Sequence, residues 1–462
     1  MKLYNTLGRT IQEVKPLKRG EIKLYTCGPT VYHYYHIGNL RKSLFDDTLK
    51  RTLMLNNFAV QHVMNITDVG HLTNDADEGD DKLQSRADEE GKTVWEVAKF
   101  YTKAFTQDMA ALNVLAPSKL VPATQAIKQQ VAMVQALLDK GFAYQVEQAI
   151  YFDVSKLKDY GKLTGQKLDQ KEVAARQDVV TDPDKKNPQD FALWFFTVGR
   201  FKDHQMHWPS PWGEGFPGWH LECSAIIEQE LGDTIDIHTG GVDHIGTHHT
   251  NEIAQSEAAH DGKPLANLWL HSEFLLVNDK KMSKSLKNTY TLEDVVKKGF
   301  HPLDLRLFYL QAHYRTQQNF TWEVLEAAQN RRQSINAWAD LRHQAEADER
   351  GQQLLIAATN EMQKALANDL DTPRVLAVLS DVINAGVAPT KDFLEYLDAA
   401  LGLQLLDRAD ITKRQKELIT KREKARASKD FKESDKLRDE LLKDGIELND
   451  TPRGTRWSRN AG

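Results

Sequence analysis

Three groups of side chains in this sequence could do chemistry. The first lies in Cys27-Gly-Pro-Thr-Val-Tyr-His-Tyr-Tyr-His36-Ile-Gly38-Asn39-Leu-Arg41, where a thiol and an imidazole flank a Gly/Pro turn. A turn that opens a helix suits a phosphate, because free backbone N–H groups and the positive helix end face the anion. Gly38 has no side chain, so backbone and ligand could approach closely there. The second group is Lys281-Met-Ser-Lys284-Ser285. Its two ammonium groups could neutralise charge developing on a transferred phosphate. The third is His248 and Glu252, spaced i, i+4 on one helix face. With Cys27 and Cys223, the two cysteines of the chain, they could make a four-ligand zinc set. His249 competes as a ligand. Each group also has an ordinary counterpart: a strand-to-helix turn with a core cysteine, a solvated loop, a surface His–Glu pair.

The elements that must position these groups follow from periodicity. Ile22 to Tyr25 reads as a buried strand, Lys42 to Leu55 as a helix and Ala59 to Asp68 as a second strand. Together they make a parallel βαβ unit, in which ligands bind at the carboxyl ends of strands. Cys27 and Thr67-Asp68 fall at those ends. Asn74 to Asp81 is acidic and reads as a loop. Thr93 to Leu112 and Thr124 to Leu138 have helical spacing, Tyr144 to Val154 a hairpin pattern. Ser155 to His207 is polar and looks inserted. Trp208 to Trp219, rich in Pro and Gly, is expected to be a rigid loop. Gly218 to Leu231 is a helix with Cys223, Thr234 to Thr239 a strand, His248 the start of a helix and Leu268 to Val277 a strand. From Thr291 the pattern is helical, with a bundle over Trp322 to Leu341, Gln352 to Leu366 and Arg374 to Ile383. Lys413 to Leu442 is a long basic helical stretch, and a short strand-and-turn segment runs from Gly445 to Trp457.

A chain of 462 residues exceeds one compact core, so two or three domains are expected. No run of about 18 apolar residues occurs, which argues against a membrane span. Two distant cysteines in a chain without a signal-like start point to the cytoplasm, not to a disulfide. The net charge of −6 is uneven. Residues 411–462 hold 15 Lys and Arg against 10 Asp and Glu, which leaves +5 there and −11 elsewhere. A basic end on an acidic body suits a polyanion partner, although a solvated helix face has the same composition.

Taken together, the motifs carry a resemblance. His36-Ile-Gly-Asn39 resembles the HIGH motif of class I aminoacyl-tRNA synthetases, and Lys281 to Ser285 is that class's KMSKS motif as it stands. The resemblance narrows to the cysteinyl-tRNA synthetase family and covers nearly the whole chain. It includes Leu24 to Tyr32, Asn65-Ile-Thr-Asp68, Asp190-Phe-Ala-Leu-Trp194, Pro217 to Ser224, Asp236 to Asp243 and Asp450 to Trp457. It implies an α/β fold: a doubly wound, Rossmann-like catalytic domain, interrupted by a connective insertion and followed by helical regions. The implied boundaries are 1–115 and 211–290 for the catalytic halves and 116–210 for the insertion. A stem-contact and helical-bundle domain would span 291–405, and an anticodon-binding region 406–462.

By position, the resemblance implies zinc ligands at Cys27, Cys223, His248 and Glu252. It implies ATP contacts at His36, Gly38, Asn39, Gly240, Asp243, Lys281 and Lys284, of which His36, Asn39 and the two lysines assist catalysis. Thr67, Trp219 and His238 would line the pocket for substrate cysteine. The implied reaction joins L-cysteine to ATP as cysteinyl-adenylate, with Mg2+ accompanying ATP, then transfers cysteine to tRNA(Cys). A cytoplasmic monomer is expected. The sequence departs from the common family pattern at Asn39, Thr250 and Lys287. Two rivals are a ligase joining cysteine to an amino sugar, which would lack the basic C-terminal end, and a non-catalytic RNA-binding relative, which would have lost the lysines or the metal ligands.

Overall fold

Five strands form the sheet that carries these groups: β1 (Glu21–Thr26), β2 (Ala59–Ile66), β3 (Lys119–Pro122), β4 (Ile235–Gly241) and β5 (Ala266–Ser272). The structure, a computed structural model, describes residues 1–70, 72–74, 78–165, 184–283, 286, 288–451 and 454–459. The sheet order is β5-β4-β1-β2-β3, and every neighbouring pair is parallel. The order reverses between β1 and β4, which puts the crevice of a doubly wound sheet at their carboxyl ends. Both faces are covered. Ile22 and Leu24 of β1 pack with Leu49 and Leu53 of helix α1 (Ile37–Leu55). Tyr25 packs on the other face with Ile226 and Ile227 of helix α2 (Trp219–Leu231). Helix α3 (His248–Ala259) follows β4.

α1 begins at Ile37 with His36 as its N-cap, next to the Gly38 turn expected to open the helix. Beside its apolar positions it also buries charged residues, some of them paired within the helix. Lys42 meets Asp46 and Arg51 meets Asp47, each at 2.7 Å. Such pairing keeps the burial of charge tolerable.

The polar-looking segment 155–207 contains a strand, Phe191–Phe196, buried at all six positions. It is central in a five-stranded antiparallel sheet with Ala143–Gln145, Ala149–Phe152, Trp208–Ser210 and Gly213–Pro217. The rigid loop expected over Trp208 to Trp219 is thus a hairpin followed by the start of α2. Pro209 is accommodated because its strand is an edge strand. Residues 166–183 of the insertion lie outside the described residues. The loop expected at Asn74 to Asp81 also differs: Leu72–Asn74 pairs with Glu78–Asp81, while 75–77 lie outside the described residues. The strand predicted over Leu268 to Val277 is divided. Leu275–Val277 leaves the main sheet and pairs with Lys280–Lys281 and with Gln318–Phe320.

The chain forms two compact units, the first comprising 1–295, 313–320 and 367–370. The second comprises 296–312, 321–366 and 371–462 and is built from helices. The long basic stretch is two helices, Lys413–Ala427 and Phe431–Lys443, broken where Lys429 takes a positive φ. A hairpin, Ile446–Thr451 with Gly454–Arg459, closes it. Trp457 is buried in this hairpin's core with Leu418, Leu437, Leu441, Ile446 and Leu448. Asp340, fully buried, accepts from both Arg408 and Arg459 and so joins the bundle helices to the C-terminal residues. No described helix is long and apolar enough to cross a membrane.

Candidate active site and metal centre

Cys27 follows β1 directly, Cys223 lies one turn into α2, and His248 and Glu252 share a face of α3. The fold brings the four together: their ligand atoms lie within 4.8 Å of one another, and all four residues are buried. His248 Nε2 stands 3.5 Å from Cys223 Sγ and 2.8 Å from Glu252 Oε1. A second set overlaps the first, with His238 and His249 replacing Cys223 and His248 beside the shared Cys27 and Glu252. His249 Nε2 is 3.3 Å from Cys27 Sγ, and His238 Nε2 is 2.7 Å from Glu252 Oε2. The other nitrogen of His249 is engaged by His271 at 2.8 Å, and His271 reaches Thr6 at the same distance.

Electrostatics at this centre are those of buried acids and bases packed against one another. Burial opposes ionisation of Glu252, yet the adjacent His238 and His248 bring its carboxyl to about 2. Burial works against the His248 cation, but Glu252 and Cys27 lift its pKa to about 10. The two cysteines are pushed in opposite directions. Burial raises both thiols; hydrogen bonding with Cys223 and the field of His249 carry Cys27 well below the ordinary value. Cys223 is pushed well above it by burial and by Cys27. Glu252 Oε1 is buried with no hydrogen bond of good geometry. Two sulfurs, an imidazole and a carboxylate, all buried with ligand atoms within 4.8 Å of one another, fit a tetrahedral zinc ion, whose binding would displace protons from these groups.

Around the centre, Trp219 stacks on His248 at 4.5 Å between ring centroids. His238 stacks on Trp269 at 4.6 Å and leaves its buried Nδ1 without a hydrogen-bond partner. Gly240 lies where His249 and His244 crowd the strand: an added Cβ would meet their ring atoms at 2.5 and 2.8 Å. Asp243 is more than half exposed, 3.9 Å from His244. Thr67 donates its hydroxyl to Glu222 at 2.8 Å and accepts from Asn65 at 3.0 Å. Thr250, a departure from the family pattern, donates to the Ile245 carbonyl at 2.7 Å.

The helix start differs from expectation. His36 is the N-cap of α1, and its Nδ1 accepts from the Gly38 and Asn39 amides at 3.1 and 3.3 Å. The Ile37 amide donates to the Tyr290 carbonyl at 2.8 Å. The amides expected to face an anion are therefore occupied by the chain itself, which satisfies donors that have no partner within the helix. With Nδ1 accepting, the proton of His36 sits on Nε2. Burial lowers its pKa to about 4, so the ring is neutral near pH 7. An added Cβ at Gly38 would stand 2.2 Å from Met282 Cε, so the first motif touches the second. Lys281 is exposed, with its ammonium 4.6 Å from the Phe274 ring centroid. Lys284, Ser285 and Lys287 lie outside the described residues.

Sequence reasoning missed Asn65, His220, Glu222, His244 and His271. His220 meets His248 at 3.0 Å through their Nδ1 atoms. The available signal was the density of histidines in β4, α3 and β5, which periodicity treats as ordinary polar positions.

Comparison with known proteins agrees with this geometry. The family described as tRNA synthetases class I (C) catalytic domain matches residues 13–330. The chain is 41% identical to a cysteine--tRNA ligase of Treponema denticola over 99% of both chains. It is 42% identical to cysteine--tRNA ligase 1 of Burkholderia lata, over 99% of this chain and 96% of that protein. Among solved structures, Mycobacterium tuberculosis methionyl-tRNA synthetase in complex with methionyl-adenylate matches with a TM-score of 0.58 at 14% identity. That match covers 83% of this chain and 88% of the other. A leucyl enzyme from Agrobacterium radiobacter matches at 0.61 and 11% identity, covering 86% and 85%. These distant matches share the fold, whereas the close relatives share nearly the full length: the chain belongs to the class I aminoacyl-tRNA synthetases, within the cysteine--tRNA ligase family.

Proposed function

We propose that this protein activates L-cysteine with ATP to cysteinyl-adenylate, releases pyrophosphate and transfers cysteine to the terminal adenosine of tRNA(Cys). The observation that carries the reading is the buried centre of Cys27, Cys223, His248 and Glu252 at the carboxyl ends of the parallel strands. The cysteine carboxylate attacks the α-phosphorus while the bond to pyrophosphate breaks. No protein nucleophile is needed, so the protein's work is positioning and charge stabilisation. His36 donates from Nε2 to a phosphate oxygen as a neutral group, because Nδ1 is held by its own helix. Asn39 assists beside it. Lys281 and Lys284 supply positive charge, and Mg2+ accompanies ATP. Gly38, Gly240 and Asp243 shape the nucleotide site.

Thr67 donates its hydroxyl hydrogen bond to Glu222, so toward a ligand it can only accept. That suits the α-ammonium group of an amino acid. Trp219 and His238 wall the side-chain pocket. Zinc, held by Cys27, Cys223, His248 and Glu252, supplies a preference for a thiol over the alcohol of serine, since sulfur is by far the better ligand. Ordinary packing separates two such similar side chains poorly. The catalytic domain is assigned to 1–115 and 211–290, the connective insertion to 116–210, stem contact and bundle to 291–405, and anticodon binding to 406–462. The test is ATP–pyrophosphate exchange with cysteine and with serine, followed by charging of tRNA(Cys). Exchange that serine supports as well as cysteine overturns the selection mechanism; no exchange with either overturns the activity.

A further inference from the structure

Two elements carry the sulfur atoms of the centre, and both are tied to the same strand end. Gly28, next to Cys27, donates its amide to Asn65 Oδ1 at 2.7 Å. The Asn65 amide nitrogen donates to Thr67 Oγ1 at 3.0 Å, and Thr67 donates to Glu222 Oε2 at 2.8 Å. Glu222 is the neighbour of Cys223. The three side chains are 2%, 3% and 0% exposed. Each bond has one possible sense, because the Gly28 amide can only donate and the carboxylate accepts. The backbone tightens the same junction. The Thr67 amide donates to the Pro29 carbonyl at 2.9 Å, and the Val31 amide to the Thr67 carbonyl at 3.2 Å. A Cβ on Gly28 would lie 1.8 Å from the Asn65 carbonyl oxygen, so only glycine lets the Cys27 loop press onto β2.

We infer that Asn65, Thr67 and Glu222 form a positioning network that sets the spacing of the Cys27 and Cys223 sulfurs for the metal. The inference rests on the metal reading given above. Thr67 can serve the substrate at the same time, through its remaining accepting capacity. Asn65 and Glu222 act through the cysteines and through Thr67, and are positioning residues. Hydrogen bonds that orient metal ligands are typically worth 10–100-fold in metal affinity.

The experiment measures, on the full chain, the rate at which bound zinc passes to a chromogenic chelator and the thiolate-to-metal absorption of the cobalt(II) form. Asn65→Ala and Glu222→Ala are expected to lose zinc about 10–100-fold faster. Their cobalt bands should shift. Glu222→Gln, which still accepts from Thr67, should stay near the parent in both readouts. Should Glu222→Ala fail to fold, Thr67→Val removes the same hydrogen bond at nearly constant volume and should release zinc faster too. Variants that melt earlier but keep parental zinc release and cobalt bands overturn the network, since a merely structural role would move stability alone. A parent chain that binds no zinc at all overturns the metal reading instead, so the two failures are distinguishable.

Discussion

Gly240→Ala separates a nucleotide role from a packing role at one position. The added methyl carbon would sit 2.5 Å from His249 Cε1, 2.8 Å from His244 Nδ1 and 2.9 Å from His249 Nε2. Ordinary contact begins at 3.4 Å, so the His249 ring must retreat by about 0.9 Å. It has little room, being held by Cys27, His271 and Trp269. Gly240 is outside the left-handed region, so alanine strains nothing but packing there. Overpacking of this kind costs about 1–3 kcal/mol. At roughly 2–4 °C per kcal/mol for a unit of this size, the transition should fall by about 2–12 °C. Calorimetry reads the transition, and cysteine-dependent ATP–pyrophosphate exchange reads the site, where activity should fall with the displaced ring. Gly246→Ala is the control: nothing lies within 4 Å of its Cβ position, so its effect should stay within about 1 kcal/mol. A Gly240→Ala protein with parental melting and a raised KM for ATP alone refutes the packing argument and leaves an adenosine contact.

Three further predictions can be checked with the same preparations. His36→Ala should cost about 0.5–2 kcal/mol through loss of the helix cap, and His36→Ala and Lys284→Ala should slow adenylate formation with little change in KM for cysteine. The native pKa of His36, about 4, lies below the unfolded value near 6.5. The cap's contribution is therefore full above that value and declines as pH falls toward 4; a stability gap between parent and His36→Ala that widens on acidification contradicts it. Lys421→Gln with Lys424→Gln, both exposed on the first basic helix, should weaken tRNA binding and make its salt dependence shallower, by roughly 0.9 in slope for each phosphate no longer neutralised. Adenylate formation should be unchanged, and unaltered tRNA affinity would remove these lysines from the interface. Trp457→Ala should destabilise the second unit by about 3–5 kcal/mol, because the ring is core and not a stacking platform for bases; reduced tRNA affinity at parental stability would reverse that assignment.

The parallel βαβ core was legible from alternating strands and Gly-containing turns. Spacing alone left the grouping of Cys27, Cys223, His248 and Glu252 open, with His249 competing, and the family resemblance was what favoured it. The sequence signals failed where tertiary contacts override local pattern. On α1, the burial of Asp46, Asp47 and Arg51 in ion pairs does not follow from the helix's own apolar spacing. The strand Phe191–Phe196 was masked by the polar chain around it. Trp457 lies in a turn-rich, basic stretch, so its burial depends on a hairpin that local propensity does not specify. The same contacts show that cutting the chain near Leu406 is a poor probe of the basic end. It would leave Asp340 buried without Arg408 and Arg459. Stranding a buried charge costs about 3–5 kcal/mol, so misfolding would imitate loss of function. His220, His244 and His271 were missed for a related reason: they come from α2, from the turn after β4 and from β5, and only the fold brings them around α3, a relation that no sequence spacing encodes.

Direct contact between substrate sulfur and the metal is the central claim, and titrating the cobalt-substituted protein with each amino acid tests it most directly. One cobalt should bind per chain. Cysteine should intensify the thiolate-to-metal bands, while serine at the same concentration should leave them unchanged. Equal responses to cysteine and serine, or no response to either from an enzyme that still activates cysteine, would contradict the account and move selection to the walls formed by Trp219 and His238.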